Sequence, residues 1–164
     1  MKIEKLIFSI LFFISVFTPI KAQDSTKTFS WLNTGIGINS LSLGYNVGLN
    51  FQIDNTLITA KFGANGEVLG DDLMELGLLV GYRFPLERII ISFTGGLAET
   101  TYSKSNGLFG SPTKSKLLGL VMESQISYIV WKLFGIGVTS YFNINKVKSI
   151  AGVNLNIFIG VMND

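Results

Sequence analysis

The chain contains no cysteine and no histidine among its 164 residues. The absence of cysteine excludes a disulfide scaffold, thiolate metal sites, a cysteine nucleophile and an N-terminal lipoprotein anchor. The absence of histidine removes Ser-His catalytic triads and the commonest transition-metal ligand. Charged residues are also scarce, at 15% of the chain, against ~25% in soluble domains. This composition favours a protein that meets a membrane over a soluble enzyme.

The first 22 residues have the features of a secretory signal peptide. Lys2 and Lys5 give a positive start, and residues 6–20 form a charge-free run of 15. That run is shorter than the ~20 residues of a membrane-spanning helix, and it precedes a small-residue cleavage site. We predict a signal peptide over residues 1–22, cleaved after Ala22, and one mature domain over residues 23–164. A retained membrane anchor is the alternative interpretation.

Cleavage changes the charge of the protein. The whole chain has 13 basic and 11 acidic residues, and the leader holds three of the former and one of the latter, which leaves 10 of each. A mature domain without net charge offers no broad basic surface for a polyanion. We therefore expect no nucleic-acid partner.

Apolar and polar residues alternate along most of the mature chain. In residues 41–53, bulky apolar side chains occupy the odd positions, and glycine, asparagine, serine or glutamine the even ones. Successive side chains of a strand point to opposite faces, so this pattern predicts a strand with one apolar and one small or polar face. The pattern recurs in seven further segments, at 32–38, 58–64, 74–84, 89–97, 118–128, 134–144 and 151–161. We therefore predict eight strands, with no helical periodicity to compete with them.

The composition of the two faces decides which of them lines the interior. The bulky face carries no charged residue, whereas 13 of the 18 glycines lie on the opposite face. An eight-stranded barrel has room inside only for small or interlocking side chains, and closure pairs every backbone group, so its outside can meet hydrocarbon. The sequence predicts an all-β fold, an eight-stranded antiparallel up-and-down transmembrane β-barrel. The amides and charges of the glycine face then line the lumen: Asn33, Asn46, Asn50, Gln52, Lys61, Glu75, Arg83, Glu123, Gln125, Asn143, Asn154 and Asn156.

Two soluble folds also use strands of this kind. A lipocalin-like barrel would place bulky side chains inside and polar ones outside. Here only the glycine-rich face has side chains small enough for the interior of an eight-stranded barrel, which disfavours that fold. A sandwich would pack the bulky faces of two sheets against each other. The sandwich remains the alternative fold.

The connections between the predicted strands alternate in length. Tight turns are expected at 54–55, 85–87 and 129–132, and longer polar connections at 39–40, 66–72 and 145–149 and from Tyr102 to Ser115. Short turns on one rim and longer loops on the other are typical of outer-membrane barrels, whose termini lie on the short-turn, periplasmic side. We expect the loop from Tyr102 to Ser115 to lie outside the cell, where it is the candidate contact for an extracellular ligand.

Aromatic residues concentrate near both predicted rims. Six fall near the periplasmic strand ends, and four toward the other rim. Trp and Tyr belts of this kind mark both water–lipid boundaries of membrane barrels. We predict two aromatic girdles, formed by Trp31, Phe51, Tyr82, Phe84, Tyr128 and Trp131 on one side and by Tyr45, Tyr102, Tyr141 and Phe142 on the other.

The leader ending Lys21-Ala22-Gln23, the eight alternating segments and the small mature size resemble the small outer-membrane β-barrels of the OmpA/OmpX type. The glycine- and asparagine-rich strands resemble most the barrels of Bacteroidota. The resemblance is architectural and implies the outer membrane of a diderm bacterium, outer-membrane lipid around the barrel and insertion by the barrel assembly machinery. Such barrels usually end in an aromatic residue that this machinery reads, whereas here the last aromatic, Phe158, has inward parity.

Motifs for ligand chemistry are weak. Residues 35–37 and 135–137 begin like a dinucleotide fingerprint but lack its third glycine and its helix. Residues 110–115 lack the glycine before the lysine of a phosphate loop. Three carboxylates in one predicted loop, Glu67, Asp71 and Asp72, have a chemistry that Ca²⁺ accepts weakly, but a solvated loop is the favoured explanation. We predict no cofactor, no metal site and no catalytic residue.

Four charges have inward parity: Lys61, Glu75, Arg83 and Glu123. Charges in a narrow lumen of low dielectric must be paired and hydrogen-bonded. We predict a structural charge network that plugs the barrel, with Lys61 and Glu123 at similar heights. A gated path for protons or ions and a site of two carboxylates are the alternatives.

The sequence supports three hypotheses of function. The first is a non-enzymatic outer-membrane barrel with a filled lumen and a structural or surface-interaction role. The second is an enzyme that modifies lipids of the outer leaflet, which the absence of histidine disfavours. The third is a narrow channel for small solutes or ions, which conflicts with a filled eight-stranded lumen.

Overall fold

The computed structural model describes residues 27–40, 42–66, 72–104, 113–146 and 149–162. The secondary structure of this part of the chain consists of eight β-strands joined by turns and loops. In chain order the strands are β1 (Thr28–Asn39), β2 (Leu43–Ile53), β3 (Thr56–Gly66), β4 (Asp72–Leu86), β5 (Ile89–Lys104), β6 (Thr113–Trp131), β7 (Phe134–Ile144) and β8 (Ile150–Val161).

The eight strands form one closed barrel. Each strand pairs antiparallel with the next one along the chain, and β8 pairs with β1 to complete the circle. The prediction of an antiparallel up-and-down barrel is confirmed, and the sandwich alternative is wrong. Closure matters energetically because it leaves no strand edge with unpaired backbone groups.

The strands are strongly tilted against the barrel axis. A path through directly paired residues leaves β1 at Phe29, crosses all eight strands and returns to β1 at Asn39, ten residues further along (39 − 29). Ten residues of ~3.3 Å over eight strand spacings of ~4.8 Å correspond to a tilt of about 40°. Each residue of a strand therefore advances roughly 2.5 Å along the axis.

Side chains alternate between the lumen and the outside as the sequence predicts. On β8, Leu155 is 68% exposed, whereas Asn154 and Asn156 on either side of it are buried. On β1, Ile36 is 67% exposed between the buried Gly35 and the partly buried Gly37. The prediction that the bulky face points outward and the glycine face inward is confirmed.

Several strand ends differ from the prediction. Strand β5 runs on to Lys104 and β6 begins at Thr113, so the ends of the expected loop from Tyr102 to Ser115 are paired strand residues. Its centre, residues 105–112, lies outside the described residues. Strands β4, β5 and β6 have 15, 16 and 19 residues, longer than the ten to thirteen that the alternation indicated.

One rim carries the tight turns, and we call it the turn end; the opposite rim is the loop end. The turn at Asp54-Asn55 lies where it was expected. The other two turns are shorter than expected, because β4 continues to Leu86 and β6 to Trp131. A register shift between Ile129 and Trp131 accommodates the end of β6.

The aromatic girdles are only partly as predicted. Phe51, Phe84 and Trp131 face outward near the turn end, with exposed fractions of 45%, 51% and 76%. Trp31 and Tyr141 face the lumen and are buried, and Tyr102 packs against a buried inner cluster. The three inward aromatics have the opposite parity to their apolar neighbours, so they fill the barrel and do not belong to a girdle.

The described residues contain no helix long and apolar enough to cross a membrane.

Candidate functional site

The upper lumen, toward the loop end, is centred on Lys61 of β3. Its ammonium donates a hydrogen bond to a carboxylate oxygen of Glu123 on β6 and lies 3.1 Å from Oε1 of Glu75 on β4. The side chains of Lys61 and Glu75 are almost fully buried, and that of Glu123 is 11% exposed. One cation thus joins two carboxylates across the barrel, and we call Lys61, Glu75 and Glu123 the upper cluster.

Asn143 provides a hydrogen-bond donor for the Glu75 oxygen that does not face Lys61. Asn143 Nδ2 donates to Oε2 of Glu75 and lies 3.0 Å from Thr100 Oγ1, to which it also donates. The ring centroid of Tyr141 lies 4.5 Å from Lys61 Nζ, a distance at which an aromatic face attracts a cation. Buried charges that are both paired and hydrogen-bonded are tolerated in a low-dielectric interior.

The lower lumen, toward the turn end, is centred on Arg83 of β4. Its guanidinium donates to the side-chain oxygen of Gln52 and to the backbone carbonyl of Met162. The guanidinium carbon lies 4.8 Å from the ring centroid of Trp31 and 5.8 Å from that of Phe29. We call Arg83, Gln52, Trp31, Phe29 and Met162 the lower cluster.

The lower cluster is largely apolar apart from its cation. A buried hydrophobic group surrounds the guanidinium, comprising Phe29, Trp31, Leu57, Ile90, Ile129, Phe158 and Met162. Among the described residues, neither Arg83 Nε nor Trp31 Nε1 has a hydrogen-bond partner. Arg83 is 2% exposed and therefore depends on aromatic faces and two neutral acceptors.

The structure separates the four predicted lumen charges into two groups. Lys61 contacts both Glu75 and Glu123, and in the described part of the chain Arg83 forms no ion pair with either glutamate. On β4, Arg83 lies six positions beyond Gly77, the cross-strand partner of Lys61 (83 − 77), or roughly 15 Å along the axis. Whether these four residues have a purely structural role stays a prediction.

Asparagine side chains on β1, β2 and β8 fill the part of the lumen that the charged residues leave open. Asn50 donates to Asn33 Oδ1 at 2.7 Å and accepts from Thr59 Oγ1 at 2.8 Å. On the other side of β1, Asn156 of β8 donates to Thr139 Oγ1 at 2.8 Å. Amides suit this place because each carries both donors and an acceptor and so can bond to neighbours on either side.

Glycines on adjacent strands make room for these asparagines. A Cβ added at Gly48 would lie 2.2 Å from Asn33 Oδ1, and one added at Gly35 would lie 2.0 Å from Asn156 Oδ1. Both glycines are the direct cross-strand partners of those asparagines, as are Gly37 of Asn154 and Gly44 of Asn65. The coupling was not predicted from the sequence, although glycine and asparagine alternate on inward positions of neighbouring strands and are a signal for it.

Little free volume remains in the described lumen. A cavity next to the upper cluster has a volume of about 10 Å³ and is lined in part by Asn46, Lys61, Glu75 and Tyr141. That is close to the minimum for a single water molecule. The arrangement can hold the barrel shut, and the cavity beside the upper cluster is too small for a substrate.

Cations mark the outside of the loop end. Lys114 and Lys116 on β6 are exposed, and Lys116 pairs with Glu99 of β5 at 2.6 Å. Lys146, also exposed, follows β7. The sequence offers Lys114 only as part of an incomplete phosphate loop, and Lys116 and Lys146 belong to no motif, because motifs and lumen parity do not weigh charges beyond the apolar band.

The predicted acidic loop falls mostly outside the described residues. Glu67 and Asp71 lie there, and Asp72 begins β4. Within the described ranges, no group of three metal-ligating side chains comes together.

Comparison with known proteins identifies the architecture. No protein-family model matches the chain, and no curated protein matches it. Among solved structures, the N-terminal β-barrel domain of Pseudomonas aeruginosa OprF matches with a TM-score of 0.68 and 13% identity, covering 83% of this chain and 99% of that one. The fold of the chain is that of the small eight-stranded outer-membrane barrels, as the sequence predicts.

Two further matches differ in what those proteins do. Yersinia pestis Ail, solved in complex with the heparin analogue sucrose octasulfate, has a TM-score of 0.60 and 10% identity over 84% of this chain and 99% of that one. The outer-membrane enzyme PagL has a TM-score of 0.51 and 14% identity over 80% of this chain and 99% of that one. The fold is thus shared by a protein solved with a heparin analogue and by an enzyme, and the comparisons do not support the narrower resemblance to Bacteroidota barrels.

Proposed function

We propose that this chain is a non-enzymatic outer-membrane β-barrel whose filled lumen supports an interaction surface at its loop end. The observation that carries the proposal is the inverted arrangement of its side chains. Bulky apolar residues cover the outside, while Lys61, Glu75, Arg83 and most of the amides are buried. Only a solvent of hydrocarbon makes that arrangement stable, because water would drive the apolar residues together.

The contents of the lumen favour a plug over a pore. The upper cluster crosses the barrel from β3 to β4 and β6, and the lower cluster fills the turn end with aromatic and aliphatic side chains. The cavity between asparagines and the upper cluster holds at most about one water molecule. A rigid interior of this kind serves to hold the strands, and hence the loops, in a fixed arrangement.

The loop end offers one prominent structure for contact. Strands β5 and β6 are the longest of the barrel, and their ladder continues to the pair Lys104 and Thr113. This hairpin extends beyond β1 and β2, which have 12 and 11 residues. Ail, which shares the fold, is solved with a sulfated ligand, and this supports a ligand-binding role for the hairpin and for residues 105–112 between its strands.

The proposal includes the path to the membrane. A signal peptide over residues 1–22 would direct export, and the barrel assembly machinery would insert the domain among outer-membrane lipids. Both remain predictions from the leader and from the architecture.

Cell fractionation combined with surface proteolysis tests the placement. In a diderm host we expect the protein in the outer-membrane fraction, and we expect trypsin added to whole cells to cleave at Lys104 or Lys114, beside the 105–112 segment. The barrel itself should remain protected and keep its heat-dependent gel mobility. Recovery in the soluble periplasm would contradict the proposal.

Conductance in planar bilayers tests the plug. A filled lumen predicts no unitary current steps at either polarity. Reproducible single-channel steps that disappear on removal of the protein would favour the channel alternative.

An enzyme of the outer leaflet is the second candidate, favoured by the fold that the chain shares with PagL. The chain has no histidine to activate a serine or to move a proton. Mass spectrometry of lipid A from cells with and without the protein should show identical species. A mass change that depends on expression would establish the enzyme.

A further inference from the structure

The outside of the barrel changes character near the loop end of β6. Outward positions of this strand carry Leu120 and Leu118, which are 48% and 52% exposed. The next two outward positions are Lys116 and Lys114, and both are exposed. The apolar stripe of β6 therefore ends at Leu118, and a cationic stripe continues from it along the same face.

A third lysine stands beside this stripe. The β6–β7 ladder ends with the pair Leu120 and Ile144, and Lys146 lies two residues beyond Ile144 and is exposed. A Cβ added at Gly119 would lie 3.3 Å from Asn145 Cβ, so the chain still runs beside β6 one residue before Lys146. We call Lys114, Lys116 and Lys146 the rim lysines.

Within the described ranges, one acidic side chain contacts the rim lysines. Glu99 pairs with Lys116 at 2.6 Å, and both side chains are largely exposed, at 53% and 70%. A pair this exposed contributes little energy and exchanges readily for another partner. Three cations against one carboxylate leave an excess of positive charge on this side.

The other side of the loop end has a different character. The last outward positions described on β1, β2 and β3 are Ile38, Leu43 and Gly66, none of them charged, and β4 begins with the exposed Asp72. Among the side chains that the structure describes, the exposed cations of the loop end therefore lie on β6 and just beyond β7. Lysines that only anchor the barrel at the membrane–water interface would be expected all around the rim and not on one side of it.

We propose that the rim lysines and the apolar surface beneath them bind a phosphate-bearing lipid of the outer leaflet. The phosphates would lie against the rim lysines, and the acyl chains against Leu118, Leu120, Phe142 and Ile144, which are 48–55% exposed. An amphiphile is the matching ligand because cationic and apolar surface meet in one continuous strip. The inference rests on the membrane placement in the proposed function.

Native mass spectrometry of the full chain in neutral detergent tests the inference. The probes are lipid A with both phosphates and the same lipid after dephosphorylation. We expect the phosphorylated lipid to remain bound. Its affinity should fall about fivefold for each lysine removed, and on the order of a hundredfold for K114A/K116A/K146A.

The matched control removes the same charge from the opposite rim. K27A/R88A/K132A alters three cations at the turn end and should change the affinity for phosphorylated lipid by no more than about twofold. Glu99→Gln frees Lys116 and should tighten binding. Heat-dependent gel mobility reports that each variant is folded, and flotation with vesicles reports membrane insertion separately from lipid selectivity.

Several outcomes would overturn the inference while leaving membrane insertion intact. These are equal affinity for the dephosphorylated lipid, equal loss in both triple variants, and weaker binding by Glu99→Gln. Displacement of the lipid by millimolar inorganic phosphate would show a free anion site. Binding of a heparin fragment in preference to either lipid would show a saccharide surface.

Discussion

The two ends of the lumen hold buried cations in different ways. Lys61 in the upper cluster lies between two carboxylates, whereas Arg83 in the lower cluster lies over two aromatic rings and donates to neutral oxygens. The compact ammonium of lysine is strongly hydrated and needs charged acceptors, while the planar guanidinium is weakly hydrated and stacks on rings. The chemistry of each cation therefore fits its surroundings.

The difference predicts unequal dependence on charge. In the upper cluster each member is an ion whose partner is another ion, so removing the central cation leaves two buried carboxylates facing each other. In the lower cluster the neighbours of Arg83 are mostly apolar, and an apolar side chain can take its place. Stability in detergent or vesicles should therefore respond far more to Lys61 than to Arg83.

The largest expected effect is that of Lys61→Met. Methionine keeps most of the volume but leaves Glu75 and Glu123 without their cation, and breaking a buried pair in this way costs about 3–5 kcal/mol. Urea unfolding in vesicles, followed by gel mobility, measures the loss.

Glu123→Gln is the matched partner of that variant. Lys61 retains Glu75 at 3.1 Å, so the loss should be only about 1 kcal/mol, similar to one hydrogen bond. Equal losses for Lys61→Met and Glu123→Gln would contradict the central position of Lys61.

A second, smaller effect concerns the backbone packing between the two clusters. A Cβ at Gly96 would lie 2.0 Å from the carbonyl oxygen of Leu78, and backbone cannot move away as a side chain can. Gly96→Ala should destabilise the barrel by roughly 1–3 kcal/mol through overpacking, again measured by urea unfolding.

Gly63→Ala provides the control for Gly96→Ala. Its added Cβ would meet Glu75 Cβ at 3.8 Å, an ordinary contact. The variant should unfold within about 0.5 kcal/mol of the parent protein. If Gly63→Ala proved as damaging as Gly96→Ala, close strand approach would not be the reason for glycine in the lumen.

The smallest effect is expected for Arg83→Met. The guanidinium has an unpartnered Nε among the described residues, and an apolar side chain of similar length suits the surrounding cluster of aromatic and aliphatic residues. Replacement of a buried ion by a packed apolar residue is often neutral, so we expect a change within about 1 kcal/mol. A loss as large as that of Lys61→Met would show that the two ends depend on charge equally.

The sequence predicted the barrel and the direction of its side chains because burial on one face enforces a period of two. The alternation at residues 41–53 is enough to orient β2, since a slip of one residue would exchange its faces. The alternation did not predict where β5 and β6 end. Beyond Leu118 both faces of β6 are exposed, so polar residues occur on both and the period of two disappears.

Two other differences have separate physical reasons. Trp31 and Tyr141 were assigned to the girdles by height alone, although their parity indicates the lumen, where they are buried. The division of the four charges could not be predicted, because which side chains meet across a lumen depends on the stagger of all eight strands. The contact of Arg83 with the Met162 carbonyl likewise joins residues that lie 79 positions apart in the chain.

Site-directed spin labelling across β8 tests most directly the claim that apolar side chains face lipid around a filled lumen. The chain has no cysteine, so single variants Leu155→Cys, Asn156→Cys and Ile157→Cys each carry one label. In lipid vesicles we expect labels at 155 and 157 to collide frequently with oxygen and rarely with a water-soluble nickel complex. The label at 156 should be shielded from both reagents. Shielding of 155 and 157 together with nickel access at 156 would place the bulky face in a dry core and contradict the account.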